Sequence, residues 1–144
     1  MLLALLLVHL LVTLMMTGVL WFVQVVHYPL MGSVGEANFQ SYEGKHVTLT
    51  GYVLAPIMLL EAGTAALLVV FPVGDFDLLW WGNAILLAAL WVSTFRVQVP
   101  LHNRLMQGFE MEAWKHLTRS NWFRTVLWSL RALLLCVYLY IELK

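Results

Sequence analysis

Four long apolar runs, roughly 2–26, 47–73, 78–99 and 122–143, take up most of this 144-residue sequence. Crossing ~30 Å of hydrocarbon at 1.5 Å per helical residue takes about 20 residues, and each run supplies them. Backbone polar groups in lipid must be satisfied within the segment, so runs of this kind can only be helices. Composition agrees: 62% of residues are hydrophobic and 11% charged, whereas soluble domains carry about a quarter charged residues. The first run lacks a basic leader and a small-residue cleavage motif, and reads as a first transmembrane helix rather than a secretion signal. The fold expected is all-α: one domain, an integral membrane four-helix bundle over residues 1–144.

The connections set the order of the helices. Only Gly74-Asp75-Phe76-Asp77 separates the second and third runs, so those two form an antiparallel hairpin. The other connections, roughly 28–46 and 100–121, fall together on one face. Lys45, Arg96, Arg104, Lys115, Arg119 and Arg124 lie on or beside that face, against Lys144 with Asp75, Asp77 and Glu142 opposite. The positive-inside rule then places the long connections in the cytoplasm and both termini outside. Both connections carry helical patterning. Ser33 to Glu36 has capping-box spacing, with Phe39, Tyr42 and His46 following at helical intervals. Met111, Trp114 and Leu117 alternate with Glu110, Glu112, Lys115 and Arg119. Two short amphipathic helices lying at the interface are the expectation.

The halves also parallel each other. Gln24 to Pro29 matches Gln98 to His102, with a histidine beside each proline, and Lys45-His46 matches Lys115-His116. Fifteen residues beyond His46 is Glu61, and fifteen beyond His116 is Arg131. This spacing predicts a 2+2 repeat of a helix–loop–helix unit.

Glu61 and Arg131 are the acid and the base set deepest in the apolar runs. An arginine at the centre of a span costs roughly 2.5–3.5 kcal/mol or more, so it turns inward and pairs. Helices two and four run in the same direction, which puts the two residues at comparable depth and predicts an interaction. Polar stripes follow helical periodicity elsewhere: His9, Thr13, Thr17, Gln24 and His27; Asn83, Trp91, Thr94, Gln98 and His102; Arg124, Trp128, Arg131, Tyr138 and Glu142. Interhelical hydrogen bonding explains most such residues, but three stripes together predict a polar interior opening to the cytoplasm. In that interior Glu61 and Arg131 form the floor. Arg124, Asn121, Gln24, Gln98 and Trp128 are candidate ligand contacts, and Tyr28 or a histidine is a candidate proton carrier. His27, His46 and His102, from three helix ends with Glu43 close by in sequence, are candidate ligands, with a carboxylate, for a transition metal. A haem stack across the membrane is disfavoured, because His9 is the lone histidine near the outer face.

Val99-Pro100-Leu101-His102-Asn103-Arg104, followed by an amphipathic segment and Asn121-Trp122-Phe123-Arg124, together with an early Gly18…Pro29 element, resembles a small four-span membrane domain family of unknown function. That family includes anthrone-oxygenase-like proteins of polyketide pathways. The matching positions are Pro29, Pro100, Asn103, Trp122 and Arg124. The resemblance implies a membrane four-helix bundle, with oxygenation of an aromatic substrate among the activities of relatives.

Zero formal net charge argues against nucleic acid as a partner. No phosphate loop, nucleophile elbow or Cys-x-x-Cys is present, and the single cysteine, Cys136, lies within the last run as a small core or lipid-facing residue. The function expected is binding, with oxidation as its extension, of a small apolar or aromatic molecule. The rival is a small transporter or membrane partner using Glu61 and Arg131 for coupling or assembly; four spans are few for transport, so that reading implies an oligomer. The topology has a direct check. In a Cys136→Ala background, a cysteine at Asp75 should react with an impermeant maleimide added outside intact cells, and one at Lys45 or Lys115 only after permeabilisation.

Overall fold

The computed structural model describes residues 2–74 and 77–142. Asp75 and Phe76 in the short link, and Leu143 and Lys144 at the end of the last run, lie outside the described residues. The chain is built from α1 (Leu2–Phe22), a π-helical turn (Val23–His27), α2 (Tyr28–Met31) and α3 (Glu36–Val70), then α4 (Asp77–Ser93), a second π turn (Thr94–Gln98), α5 (Val99–Leu105) and α6 (Met111–Glu142). Four helical stretches are long and apolar enough to cross a membrane: Leu2–Met31, Glu36–Val70, Asp77–Leu105 and Met111–Glu142. The protein is an integral membrane protein, and its element order repeats, half against half.

The two π turns have one cause. Proline has no N–H, so Pro29 and Pro100 cannot donate to the carbonyls four residues back. The residue before each proline instead reaches back five: Tyr28 N–H to the Val23 carbonyl, and Val99 N–H to the Thr94 carbonyl. One residue is absorbed as a π-bulge and the helix continues. The halves therefore align proline on proline and bulge on bulge, which sets His27 opposite Gln98. The glutamines that suggested the repeat in the sequence are not equivalent positions.

The amphipathic connections are helical but are not separate interfacial helices. Glu36–Val70 is one 35-residue helix that runs on through Pro56, and Met111–Glu142 is one helix of 32 residues. Extending an existing helix adds a hydrogen bond per residue, whereas a new helix must pay for nucleation, so each segment becomes the first turns of the span that follows it. Gly35, at φ 81°, precedes α3, and Gly108, at φ 142°, precedes α6; these are conformations that L side chains rarely adopt. No side chain caps α3, so the Ser33–Glu36 capping box does not form. Ser33 N–H bonds back to the Leu30 carbonyl at 2.9 Å instead.

In cross-section α1 packs on α3 and α6, and α4 packs on the same two helices. That leaves α3 and α6 facing each other across the centre. Outward positions such as Leu11, Leu59, Ile85 and Leu133 are exposed and apolar, as lipid requires. Apolar clusters fill the bundle at three levels: Tyr28, Phe39, Leu101 and Leu117 by the long connections; Met16, Met58, Leu90 and Trp128 in the middle; Leu6, Leu68, Trp80 and Leu135 at the far end.

One contact ties the start of α6 to the end of the first span. Trp114 Nε1 donates to the Tyr28 carbonyl at 2.9 Å. Its ring lies so close to Gly32 that an added Cβ would sit 2.7 Å from Trp114 Cζ2. A rigid indole held by its own hydrogen bond cannot yield cheaply. Gly32→Ala should cost about 1–3 kcal/mol, read as a lower thermal midpoint in detergent, whereas Gly44→Ala, with open space around it, should not.

Candidate functional site

The centre of the bundle is polar, and all four spans contribute to it. Arg131 Nη1 donates to Glu61 Oε1 at 2.6 Å, and Arg131 Nε to Asn83 Oδ1 at 2.8 Å. Trp128 Nε1 is shared between the Glu61 oxygens at 3.1 and 3.2 Å, and Thr13 Oγ1 donates to Oε1 at 2.9 Å. His9 Nδ1 lies 2.8 Å from Thr64 Oγ1, and its Nε2 lies 3.4 Å from Asn83 Nδ2. Glu61 and Arg131 are both wholly buried. A charge at this depth is tolerated when it is paired and its remaining positions are hydrogen-bonded. Here the carboxylate has four donor contacts and the guanidinium has two acceptors, with Arg131 Nη2 left over.

A cavity of about 410 Å³ lies nearer the long connections, between α3, the third span and the inner ends of α1 and α6. Its volume is in the range of small-molecule sites. Leu54, Met58, Leu59, Trp91 and Phe95 make its apolar part; Tyr28, His46, Gln98, His102, Asn103 and Arg124 make its polar end. Leu59 and Phe95 are also exposed on the outer face, so the cavity opens sideways toward lipid.

Arg124 is the unusual wall of this cavity. It is only 5% exposed, and among the described residues no carboxylate forms an ion pair with it. Nη1 donates to Asn121 Oδ1 at 3.1 Å, the guanidinium stands 5.4 Å from the centre of the Trp128 ring, and Nε is buried with no partner. Trp91 Nε1, another lining group, is likewise buried without an acceptor. Two of the lining residues thus each carry a buried donor that no oxygen among the described residues satisfies.

Glu43 and His102 sit beside this polar end. Glu43 is wholly buried, and its Oε1 is 2.5 Å from His102 Nδ1, while Oε2 has no partner. His102 Nε2 faces the Tyr28 hydroxyl at 3.2 Å.

The structure sorts the residues singled out from the sequence. It brings Tyr28, His46, Gln98, His102 and Arg124 to one cavity. Glu61 and Arg131 do not form its floor, since neither lines it. Trp128 stands between, with Arg124 against its ring and its N–H on Glu61. Trp128, Gln24 and Asn121 are likewise absent from the lining. Asn121 Nδ2 donates to Gln24 Oε1 at 3.0 Å, and this pair supports Arg124 from behind.

The three histidines meet, with two of the rings stacked face to face. The rings of His27 and His46 stack at 4.3 Å, and those of His46 and His102 are 5.4 Å apart. Imidazole lone pairs lie in the ring plane, so stacked rings cannot direct them to one point ~2.0–2.1 Å away. Among the described residues no group of three His, Cys, Asp or Glu side chains is placed to hold a metal ion.

Glu43 lies near the three histidines in the sequence, but its burial and its bond to His102 were hidden, because its segment reads as an interfacial helix, where a glutamate would be wet. The signal was its helical spacing with Phe39 and His46, which puts all three on one face. Thr64, one turn from Glu61, was available by the same spacing.

No protein-family model, curated protein or solved structure matches this chain.

The central network makes a sharp prediction. Arg131→Leu leaves Glu61 buried and unpaired and should cost about 3–5 kcal/mol, seen as loss of folded protein in detergent. Glu61→Leu with Arg131→Leu removes both charges and should recover most of that loss. If the double variant is no better than the single one, the two charges are not each other's main support.

Proposed function

We propose that the protein binds a small apolar or aromatic molecule carrying one oxygen acceptor, and that the molecule enters the cavity from the membrane. The observation that carries this reading is Arg124: a buried guanidinium with no carboxylate partner among the described residues and an unpaired Nε, at the polar end of an apolar cavity. Removing a charged donor from water without giving it an acceptor is costly, and a bound carbonyl, carboxylate or phenolate oxygen would offset that cost. Trp91 and Phe95 offer flat apolar surface to the rest of the molecule, and Gln98 and Asn103 add polar groups near the oxygen. By the charge count, this polar end belongs to the cytoplasmic half of the membrane.

Oxidation of the bound molecule, which the family resemblance implies, would require an oxidant such as O₂. The residues on the cavity wall bear on holding the molecule and moving its proton, not on storing electrons.

The test compares two probes that differ by one hydroxyl, 2-naphthol and naphthalene, by equilibrium dialysis against nanodiscs with and without the protein. A hydrogen bond to a charged group contributes about 1.5–3 kcal/mol, or roughly ten- to a hundredfold in affinity. The protein should favour the naphthol by about that factor over empty nanodiscs, and Arg124→Leu should erase the preference. Equal protein-dependent uptake of both probes would contradict the assignment of Arg124.

A further inference from the structure

Among the described residues, Tyr28 is the one lining hydroxyl joined to a buried carboxylate through a histidine. We infer that Glu43, His102 and Tyr28 form a proton relay serving the cavity, taking the proton of a weakly acidic hydroxyl on the bound molecule and leaving its oxyanion beside Arg124. The inference rests on the reading of the cavity as a binding site and adds a chemistry to it.

The direction of the relay follows from the donor and acceptor inventory. An ionised carboxylate only accepts. Glu43 Oε1, 2.5 Å from His102 Nδ1, therefore fixes the tautomer with the proton on Nδ1. The other nitrogen, Nε2, is then an acceptor, and the Tyr28 hydroxyl 3.2 Å away donates to it. Tyr28 Oη is left with lone pairs that can accept a hydrogen bond from a molecule in the cavity, which both Tyr28 and His102 line. Carboxylate, imidazole and hydroxyl stand in series, the order by which a carboxylate orients a histidine for proton abstraction.

The step balances without an oxidant. The O–H bond of the bound molecule breaks and its proton goes to Tyr28 Oη, while the Tyr28 proton passes to His102 Nε2. The products are an oxyanion, facing the Arg124 guanidinium, and an imidazolium, facing Glu43. No electrons change hands. Tyr28 and His102 touch the molecule; Glu43 is a positioning residue. A purely structural ion pair would require neither the Tyr28 link nor an opening onto an apolar cavity.

The probe is a 2-alkyl-4-nitrophenol, which absorbs visible light only as the phenolate, added at one fixed pH to nanodiscs with and without the protein. Bound amount is measured by dialysis and ionised fraction by absorbance. The wild-type protein should raise the ionised fraction of bound probe above that in empty nanodiscs. Tyr28→Phe, which keeps the ring and removes only the hydroxyl, should bring it back toward the empty-disc value with binding retained. Glu43→Gln should do the same, because a carboxamide can donate to Nδ1 and turn Nε2 from acceptor to donor. Binding with an ionised fraction unchanged by both variants would overturn the relay and leave the binding site standing. No protein-dependent binding of the probe would overturn both.

Discussion

The ion pair between Glu61 and Arg131 crosses the diagonal of the bundle, and the rest of the interior is arranged around it. α3 and α6 are separated by α1 and α4, so the pair joins helices that the apolar packing alone holds apart. In lipid there is little hydrophobic drive between helices, because acyl chains are as apolar as leucine. Polar contacts that reach several helices therefore carry much of the register. Thr13 from α1, Asn83 from α4 and Trp128 from α6 close the shell around the two charges. Each helix then has one rotation in which its polar stripe is satisfied.

The two halves share an element order but hold different side chains inside the bundle. Each half has a span, a π turn ahead of a proline, a short helix and a long helix. The two long helices differ deep in the bundle, where α3 carries Glu61 and α6 carries Arg131. Nearer the long connections they differ again: α3 carries Glu43 and His46, and α6 carries Asn121 and Arg124. The cavity forms where these unlike surfaces meet. Arg124 and Trp128, one turn apart on α6, connect the cavity to the central pair without opening it.

Much of this was legible in the sequence because helical periodicity and hydropathy are local. Span number, the antiparallel hairpin at Gly74 and the inward stripes at His9, Thr13 and Asn83 follow from spacing alone. The placement of Glu61 beside Arg131 follows from depth and direction. What was not legible depended on contacts between distant segments. Continuity of 36–46 with the second span is decided by helix propagation, not by the amphipathic pattern, and it buries Glu43 against His102. The positions of His27, His46 and His102 at helix ends place them near one another, but ring orientation is a tertiary property, and it stacks His27 on His46 with His102 tilted beside them. The cavity's separation from the central pair depends on where one side chain, Trp128, is inserted.

The central claim is that Arg124, which has no carboxylate partner among the described residues, receives an oxygen atom of a molecule bound among Trp91, Phe95 and Tyr28. A structure of the protein in lipid nanodiscs, with 2-naphthol added, tests it most directly. The account predicts density for the ring system in the cavity, with its oxygen within hydrogen-bonding distance of the Arg124 guanidinium. Arg124 turned out of the cavity onto a lipid phosphate, with acyl chain filling the space between Leu54 and Phe95, would contradict it.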